Sequence, residues 1–486
     1  MTASEIDDRI LSPVKRAYGC GLVTVLLGAG ASITSGLPNW EEFATSLLLH
    51  SKAVSSRPLA EHMVSRQDAL LVAEAAKAAS DDWPATLGSA LYPSNVEAGY
   101  SPLHLAAANL RLTPGAARIK LATLNFDVLL EDALTDDEPD RNVTSIFDSA
   151  LTDPNELEVH HLHGVVLEDG CFDVVLTLTD YTGILGTPAT WQLDYLRHSV
   201  DNGALVIAGT SYRDPDLRQW LHLALRSRST SHPAVVLLAR EAFELDKPSW
   251  SDVREALTRQ WRSIGLVPVL LHDHVDAAQV IRELPYLEMD SYVSPRDRSA
   301  RLWAHHEESF PVRQEEDSRA LMQDVDTVRS RLGASDANVT LWLADGQGQL
   351  VQYASHDRLF HDVSGLRRVP VGHDSAWIAA QALGREQPMA DDLSGTEHTT
   401  GRWRAVVAAP VTVTPDDMPY FASGALSIGL PRAINDYEPS AWAAVVGELT
   451  EKWGAVLSER FRTATTDMAQ GLSDDYDHPS SRSEAS

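Results

Sequence analysis

The feature that constrains this chain most is a series of short apolar bursts, partly β-branched, each leading into small or polar residues. The first is Gly21 to Leu27, GLVTVLL, followed at once by GAGAS. A run this short and this apolar suits a strand covered on both faces, as in a parallel sheet, that enters a phosphate loop. Further bursts are Ala117 to Thr123, Leu157 to Leu162, Val174 to Leu176, Ala204 to Ala208, Ala234 to Leu238 and Ile264 to Leu271. Helical stretches separate most of them. In Trp40 to His50, for example, Phe43, Leu47 and Leu48 have helical spacing behind Pro38 and Asn39, where early prolines and caps are favoured. Buried strands alternating with helices predict an α/β domain, Rossmann-like, with a doubly wound and mainly parallel sheet.

The pattern stops after a helix at Ala277 to Leu284. Residues 286–315 include YVSPRDRSARLWAHHEESF, which is charged and aperiodic and reads as a linker with room for a short helix. Beyond it the order changes to a helix (Glu316 to Leu332), two strands resembling a hairpin (Val339 to Ala344, Gln349 to Ala354) and a helix (Asp374 to Leu383). Two more strands (Trp403 to Thr414, Phe421 to Leu430) and a long helix (Glu438 to Phe461) complete an α+β arrangement. The end of the chain is rich in Ser, Asp and Thr and buries too little apolar surface to offset its ordering entropy, so it is expected to be disordered. At 486 residues the chain is too long for one core. The expected organisation is a catalytic domain over 1–285, a linker over 286–315, a second domain over 316–465 and a tail over 466–486.

Lys and Arg number 40 against 69 Asp and Glu, a formal charge of −29. A field of that sign repels nucleic-acid backbones and anionic membranes, so neither is an expected partner, although solubility explains the same composition. The N-terminus MTASEIDDRILSPVKR lacks the apolar core of a signal peptide and no 18-residue apolar run occurs, which predicts a cytoplasmic protein. Cys20 and Cys171 are the only cysteines, too few for a disulfide framework or a four-cysteine zinc site within one chain.

Four constellations carry chemistry. Gly28, Ala29, Gly30 and Ser32 lie at the end of the first burst, with SGLPNW after them; glycines permit close approach to a pyrophosphate, and amides at a helix start favour its charge, although a plain tight turn has the same composition. Asn125 and Asp127, in LNFD, put an amide and a carboxylate at the sheet edge, or else Asn125 caps the following helix with Asp127 in its first turn. His160, His161 and His163 end another burst. Metal binding comes to mind, but His161 and His163 share one face of a strand and no second ligand cluster accompanies them, which leaves a general base or structural histidines. Gly209, Thr210 and Ser211 follow ALVIA, where small hydroxyl residues suit phosphate or ribose, with Asp214 and Asp216 placed to cap the next helix.

In this order, GAGAS, SGLP, LNFD, HLHG and GTS resemble the motifs of the sirtuin family over residues 15 to 285. The resemblance implies NAD as substrate, with Gly28, Ala29, Gly30 and Ser32 at the pyrophosphate and ribose and Gly209, Thr210 and Ser211 on the adenosine side. It implies Asn125 and Asp127 at the nicotinamide ribose and carboxamide, and His163 as the base. The chain departs from acyl-lysine sirtuins in lacking the zinc ribbon, in Asn39-Trp40-Glu41 where they carry Asp-Phe-Arg, and in Leu124 where they carry Gln. It looks more like the bacterial sirtuin-like NAD hydrolases of anti-phage defence, with no zinc expected. Residues 316–465 resemble a GAF domain, a class that commonly binds small molecules or dimerises, which implies a gated enzyme, an unidentified activating ligand or protein and a homo-oligomer. His373, Trp377, Trp403 and Trp442 would line a pocket there or belong to its core. The function expected is cleavage of the nicotinamide-ribose bond to nicotinamide and ADP-ribose or a cyclic form. An NAD-dependent deacylase and a non-catalytic NAD or ADP-ribose sensor are the alternatives.

Overall fold

A computed structural model of the chain describes residues 5–94, 98–113, 118–149, 156–167, 170–185, 190–210, 215–227, 232–393 and 402–476. It divides into two compact units, Arg9–Glu288 and Met1–Asp8 with Met289–Ser486.

In the first unit the strands are Leu22–Leu27 (β1), Arg118–Thr123 (β2), Val143–Ile146 (β3), Leu157–His161 (β4), Val165–Leu167 (β5), Gly170–Phe172 (β6), Ala204–Ala208 (β7), Ala234–Ala239 (β8) and Val267–Leu271 (β9). Seven of them form a parallel sheet in the order β3-β4-β2-β1-β7-β8-β9, and β5 and β6 pair as a separate antiparallel hairpin. The Rossmann-like α/β fold read from the sequence is therefore present. Val23, Val25, Leu26 and Leu27 of the central strand are completely buried, each contributing about 1.5–3 kcal/mol by the usual area rule.

Chain order runs from β1 to β2 on one side of the sheet, and β7 later adds to the opposite side of β1. The carboxyl ends of β1 and β7 thus flank a topological switch point, the place where open α/β sheets hold ligands. Register sharpens this. Leu27 pairs with both Thr123 and Ala208, and Thr123 pairs with His161, so four strands end side by side.

Between β1 and β2 the helices Trp40–His50, Arg57–Val64, Ala69–Ala79 and Trp83–Leu91 build a core of their own, from Phe43, Leu47, Leu48, Val72, Ala76 and Leu87, and Val166 of the hairpin joins it. Three of the four starts are set by side chains: Asn39 accepts from Glu42 N, Asp68 from Leu70 N and Asp82 from Ala85 N. Val174 to Leu176, expected as a strand, is not one. The strands lie earlier, because Gly164 at φ +83° turns the chain after β4 and makes room for the hairpin.

The second unit holds a six-stranded antiparallel sheet of Asn338–Ala344 (β10), Gln349–Ser355 (β11), Arg368–Pro370 (β12), Met389–Asp392 (β13), Ala405–Val413 (β14) and Phe421–Leu430 (β15), ordered β12-β11-β10-β15-β14-β13. Alternation along β10 sends Val339, Leu341 and Leu343 to a core shared with helices Phe310–Leu332 and Pro439–Tyr476. Trp342 and Ala344 go to the other core, under helix Ile378–Arg385. Trp377 packs on that second core and Trp442 on the first, so the two do not line one pocket. Trp403 lies under the Arg402 guanidinium and against Gly429.

Much of the stretch read as a linker is the helix Pro295–Glu308, capped by Ser294. It looked aperiodic because its buried face includes Arg298, Ser299 and His306. His306 accepts from Arg460, which also makes a two-pronged ion pair with Asp317 at 3.0 and 2.6 Å. The final helix continues to Tyr476, past the expected start of the tail. Among the described residues no helix is long and apolar enough to cross a membrane.

Candidate active site

All four constellations meet at the shared strand ends. The loop after β1 makes one helical turn, Gly30–Ile33, and is stapled to the loop after β7: Gly28 N donates to Ala208 O at 2.9 Å and Gly30 N to Gly209 O at 2.7 Å. Two amides expected to face a pyrophosphate are therefore engaged by the end of β7 and its loop, while Ala29, just before the turn, and Ile33, at its end, are exposed. The packing is close enough to need glycine. A Cβ on Gly28 would lie 2.8 Å from Gly209 O, one on Gly30 2.5 Å from the His274 ring, and Gly209 itself has φ +70°. Thr210 is buried beside Gly28. Ser211 lies outside the described residues, as does Asp214.

Asn125 is the most completely fixed side chain here. Its backbone N–H donates to the Thr123 hydroxyl at 3.0 Å, and its amide Nδ2 donates to Ser32 Oγ at 2.7 Å and to Gly28 O at 3.3 Å. With both amide hydrogens engaged, Oδ1 is the atom left to accept from a ligand. Asn125 does not cap the next helix. Asp127 stands one residue before the N-cap of that helix, Val128, and its carboxylate accepts from Leu129 N at 3.2 Å. Burial pushes the Asp127 carboxyl up to about 6 against the Ser32 hydroxyl, the Leu129 amide and the charge of His161, with Glu131 adding to the rise.

The three histidines go to three environments. His160 stacks on Tyr195 at 4.5 Å, and burial, with Lys120 nearby, pushes it down to about 4. His161 is fully buried between two acceptors, with Nδ1 3.0 Å from Asn125 O and Nε2 2.6 Å from Glu131 Oε1, so both nitrogens carry hydrogen and the ring is an imidazolium. Burial alone would discharge it. The Glu131 charge and hydrogen bond outweigh that and hold it above its ordinary value, while His161 in turn holds Glu131 below its own despite burial. Ser145 donates to the same Glu131 oxygen. His163 sits two residues past the end of β4, buried, its ring 5.4 Å from that of Trp220 and its carbonyl accepting from Val175 N at 3.0 Å.

Three residues of this site escape sequence reading. His104 reaches Ser32 Oγ with Nε2 at 3.4 Å, and Glu131 and Ser145 hold His161. The only local signal for His104 is Ser101-Pro102 before it, a helix start.

Residues 120–268 match the family model of the SIR2-like domain. The match runs from β2 into β9 and so takes in Asn125, Asp127, His163 and the loop after β7, but not the glycine loop after β1. No curated protein matches the chain. Among solved structures it is similar to one described as the structural basis for the mechanism and regulation of Sir2 enzymes. It is also similar to a mutant Sir2 homologue in complex with 2′-O-acetyl ADP ribose. In each case the identity is 14%, the match covers 59% of this chain and 100% of the other, and the TM-score is 0.31. A TM-score at that level adds nothing to what the strand order says.

Proposed function

We propose that the first unit binds NAD across the ends of β2, β1 and β7 and hydrolyses its nicotinamide-ribose bond. The observation that carries this is Asn125: an amide with both hydrogens engaged, beside a buried carboxylate, at the switch point of a Rossmann-like sheet. The SIR2-like match over 120–268 supports NAD as the substrate class. In the reaction the bond from ribose C1′ to the nicotinamide nitrogen breaks and its electron pair leaves with the nicotinamide, which departs neutral. Asn125 Oδ1 orients water or a ribose hydroxyl, ionised Asp127 offsets the positive charge that develops on the ribose, and His163 takes the proton as water adds to C1′. Nicotinamide, ADP-ribose and a proton result.

The second unit, GAF-like by resemblance, acts in this proposal as a sensor or dimerisation module that gates the enzyme, and NAD depletion in anti-phage defence is its biological use. Chromatography of the products from NAD, with and without lysate of phage-infected cells, tests the reading. Nicotinamide with ADP-ribose or its cyclic form is expected, and both Asn125→Ala and His163→Ala are expected to lower its release strongly. Undiminished release in both variants would refute the site. Turnover only with acylated peptide would identify a deacylase, and tight NAD binding without release under every condition a sensor.

A pH dependence follows from Asp127. Its carboxyl, raised to about 6 by burial, is protonated below that pH and ionised above it. Since the proposed role needs the carboxylate, kcat/KM for NAD is expected to climb as pH rises through about 6 and level off above. Asp127→Asn is expected to remove that limb; an unchanged limb in this variant would assign the titration elsewhere.

A further inference from the structure

Helix Pro102–Leu112 starts in an unusual way. Its N-cap is Ser101, whose hydroxyl accepts from Leu103 N and His104 N at 3.2 and 3.4 Å, and the third helical residue, His104, returns the favour by accepting from Ser101 N on Nδ1 at 3.1 Å. That position in a capping box is normally Glu or Gln, either of which closes the box fully. A histidine does one thing they do not do from there: it has a second ring nitrogen on the far side. Because Nδ1 accepts, the neutral ring carries its hydrogen on Nε2, and Nε2 lies 3.4 Å from Ser32 Oγ, 72 residues away in the loop after β1. Burial pushes His104 down to about 4, so it is neutral across the working range, as this polarity requires.

The consequence lies in Ser32. Its oxygen accepts from His104 Nε2–H and from Asn125 Nδ2–H, and the hydroxyl is near enough to Asp127 to hold that carboxyl down. With both lone pairs assigned, the hydroxyl hydrogen is left to point away from the two donors. Resting on the NAD-cleaving reading, we infer that His104 is a positioning residue, which through Ser32 fixes the rotamer of Asn125 and the direction of the Asp127 carboxylate without touching the substrate.

His104→Gln tests this, since glutamine keeps the capping box but ends at it. The variant is expected to melt close to the wild type while kcat for nicotinamide release falls about ten- to a hundredfold and KM changes little, the usual loss when a supporting partner behind a site residue is removed. In a Ser32→Ala background the same change is expected to have no further effect on kcat, because the path is already cut. Additive losses would mean that His104 does not act through Ser32 and would overturn the inference. A second measurement needs no turnover. ¹⁵N NMR of histidine-labelled wild-type protein is expected to show His104 protonated on Nε2 alone, with its Nε2 signal moved by Ser32→Ala. Protonation on Nδ1, or a signal indifferent to Ser32→Ala, overturns the inference even if NAD is cleaved. If the NMR result holds but no nicotinamide is ever released, the relay stands and the NAD-cleaving reading is the part that fails.

Discussion

Truncating Asn125 to alanine is expected to lower nicotinamide release by about a hundred- to a thousandfold at saturating NAD, the range seen when one preorganised polar group is taken from a reacting centre. The change removes Oδ1, the acceptor left for water or ribose, and strips donors from Ser32 Oγ and Gly28 O. Leaving those two acceptors short costs about 1–3 kcal/mol, below the 5–15 kcal/mol that ordinarily holds a domain folded, so the variant remains measurable. Asn125→Asp separates shape from chemistry. It is isosteric, yet its carboxylate has no hydrogen for Ser32 or Gly28 and adds a negative charge next to Asp127. It is expected to be as inactive as the alanine variant while circular dichroism shows a folded protein. Retained activity in Asn125→Asp would mean that the amide hydrogens do not set the geometry.

The parts of this arrangement visible in the sequence are those that local composition controls. β1, β7 and β8 are buried on both faces, so they are written as almost wholly apolar runs, and the glycines at 28, 30 and 209 mark loops that must pack backbone against backbone. The edge strand β3 is not legible in VTSI, because it pairs on one side only and is partly exposed. Nor is the layout of the second unit's cores, where alternate residues of one strand serve different helices and separate Trp377 from Trp442. At the site the sequence points to Asn125 but not to what holds it. His104, Glu131 and Ser145 matter through partners that strand register and helix docking bring near, and a buried polar residue looks like a surface one until its partner is known. The histidine cluster shows the same limit: alternation puts His161 and His163 on one face, but only Glu131 reveals that His161 is a charged strut behind Asn125.

Gly164→Ala is expected to be the most damaging single methyl at the candidate site's edge of the first unit, because the added carbon meets backbone from two residues at once. Gly164 has φ +83°, and its Cβ would lie 2.3 Å from Asp173 O and 2.4 Å from Phe172 O. Neither carbonyl swings away easily: Phe172 is paired to Val165 across the hairpin, and Asp173 is itself held at φ +49°. The same turn carries three bonds that join the hairpin to the site, Gly164 N to His161 O at 3.2 Å, Val175 N to His163 O at 3.0 Å and Val166 N to Phe126 O at 2.8 Å. Left-handed strain of about 1–2 kcal/mol and overpacking of about 1–3 kcal/mol add to a loss of about 3 kcal/mol, or a melting temperature lower by about 5 °C in a unit of this size. Gly88→Ala is the control of opposite sign. It lies inside helix Trp83–Leu91 with open space where its Cβ would go, so alanine there is expected to be neutral or to stabilise by about 0.5–1 kcal/mol. If the turn yields by moving, the strain passes along those three bonds to His161, His163 and Phe126, and nicotinamide release is lost in the protein that still folds. Wild-type melting together with wild-type release in Gly164→Ala would show that this turn does not couple the hairpin to the site.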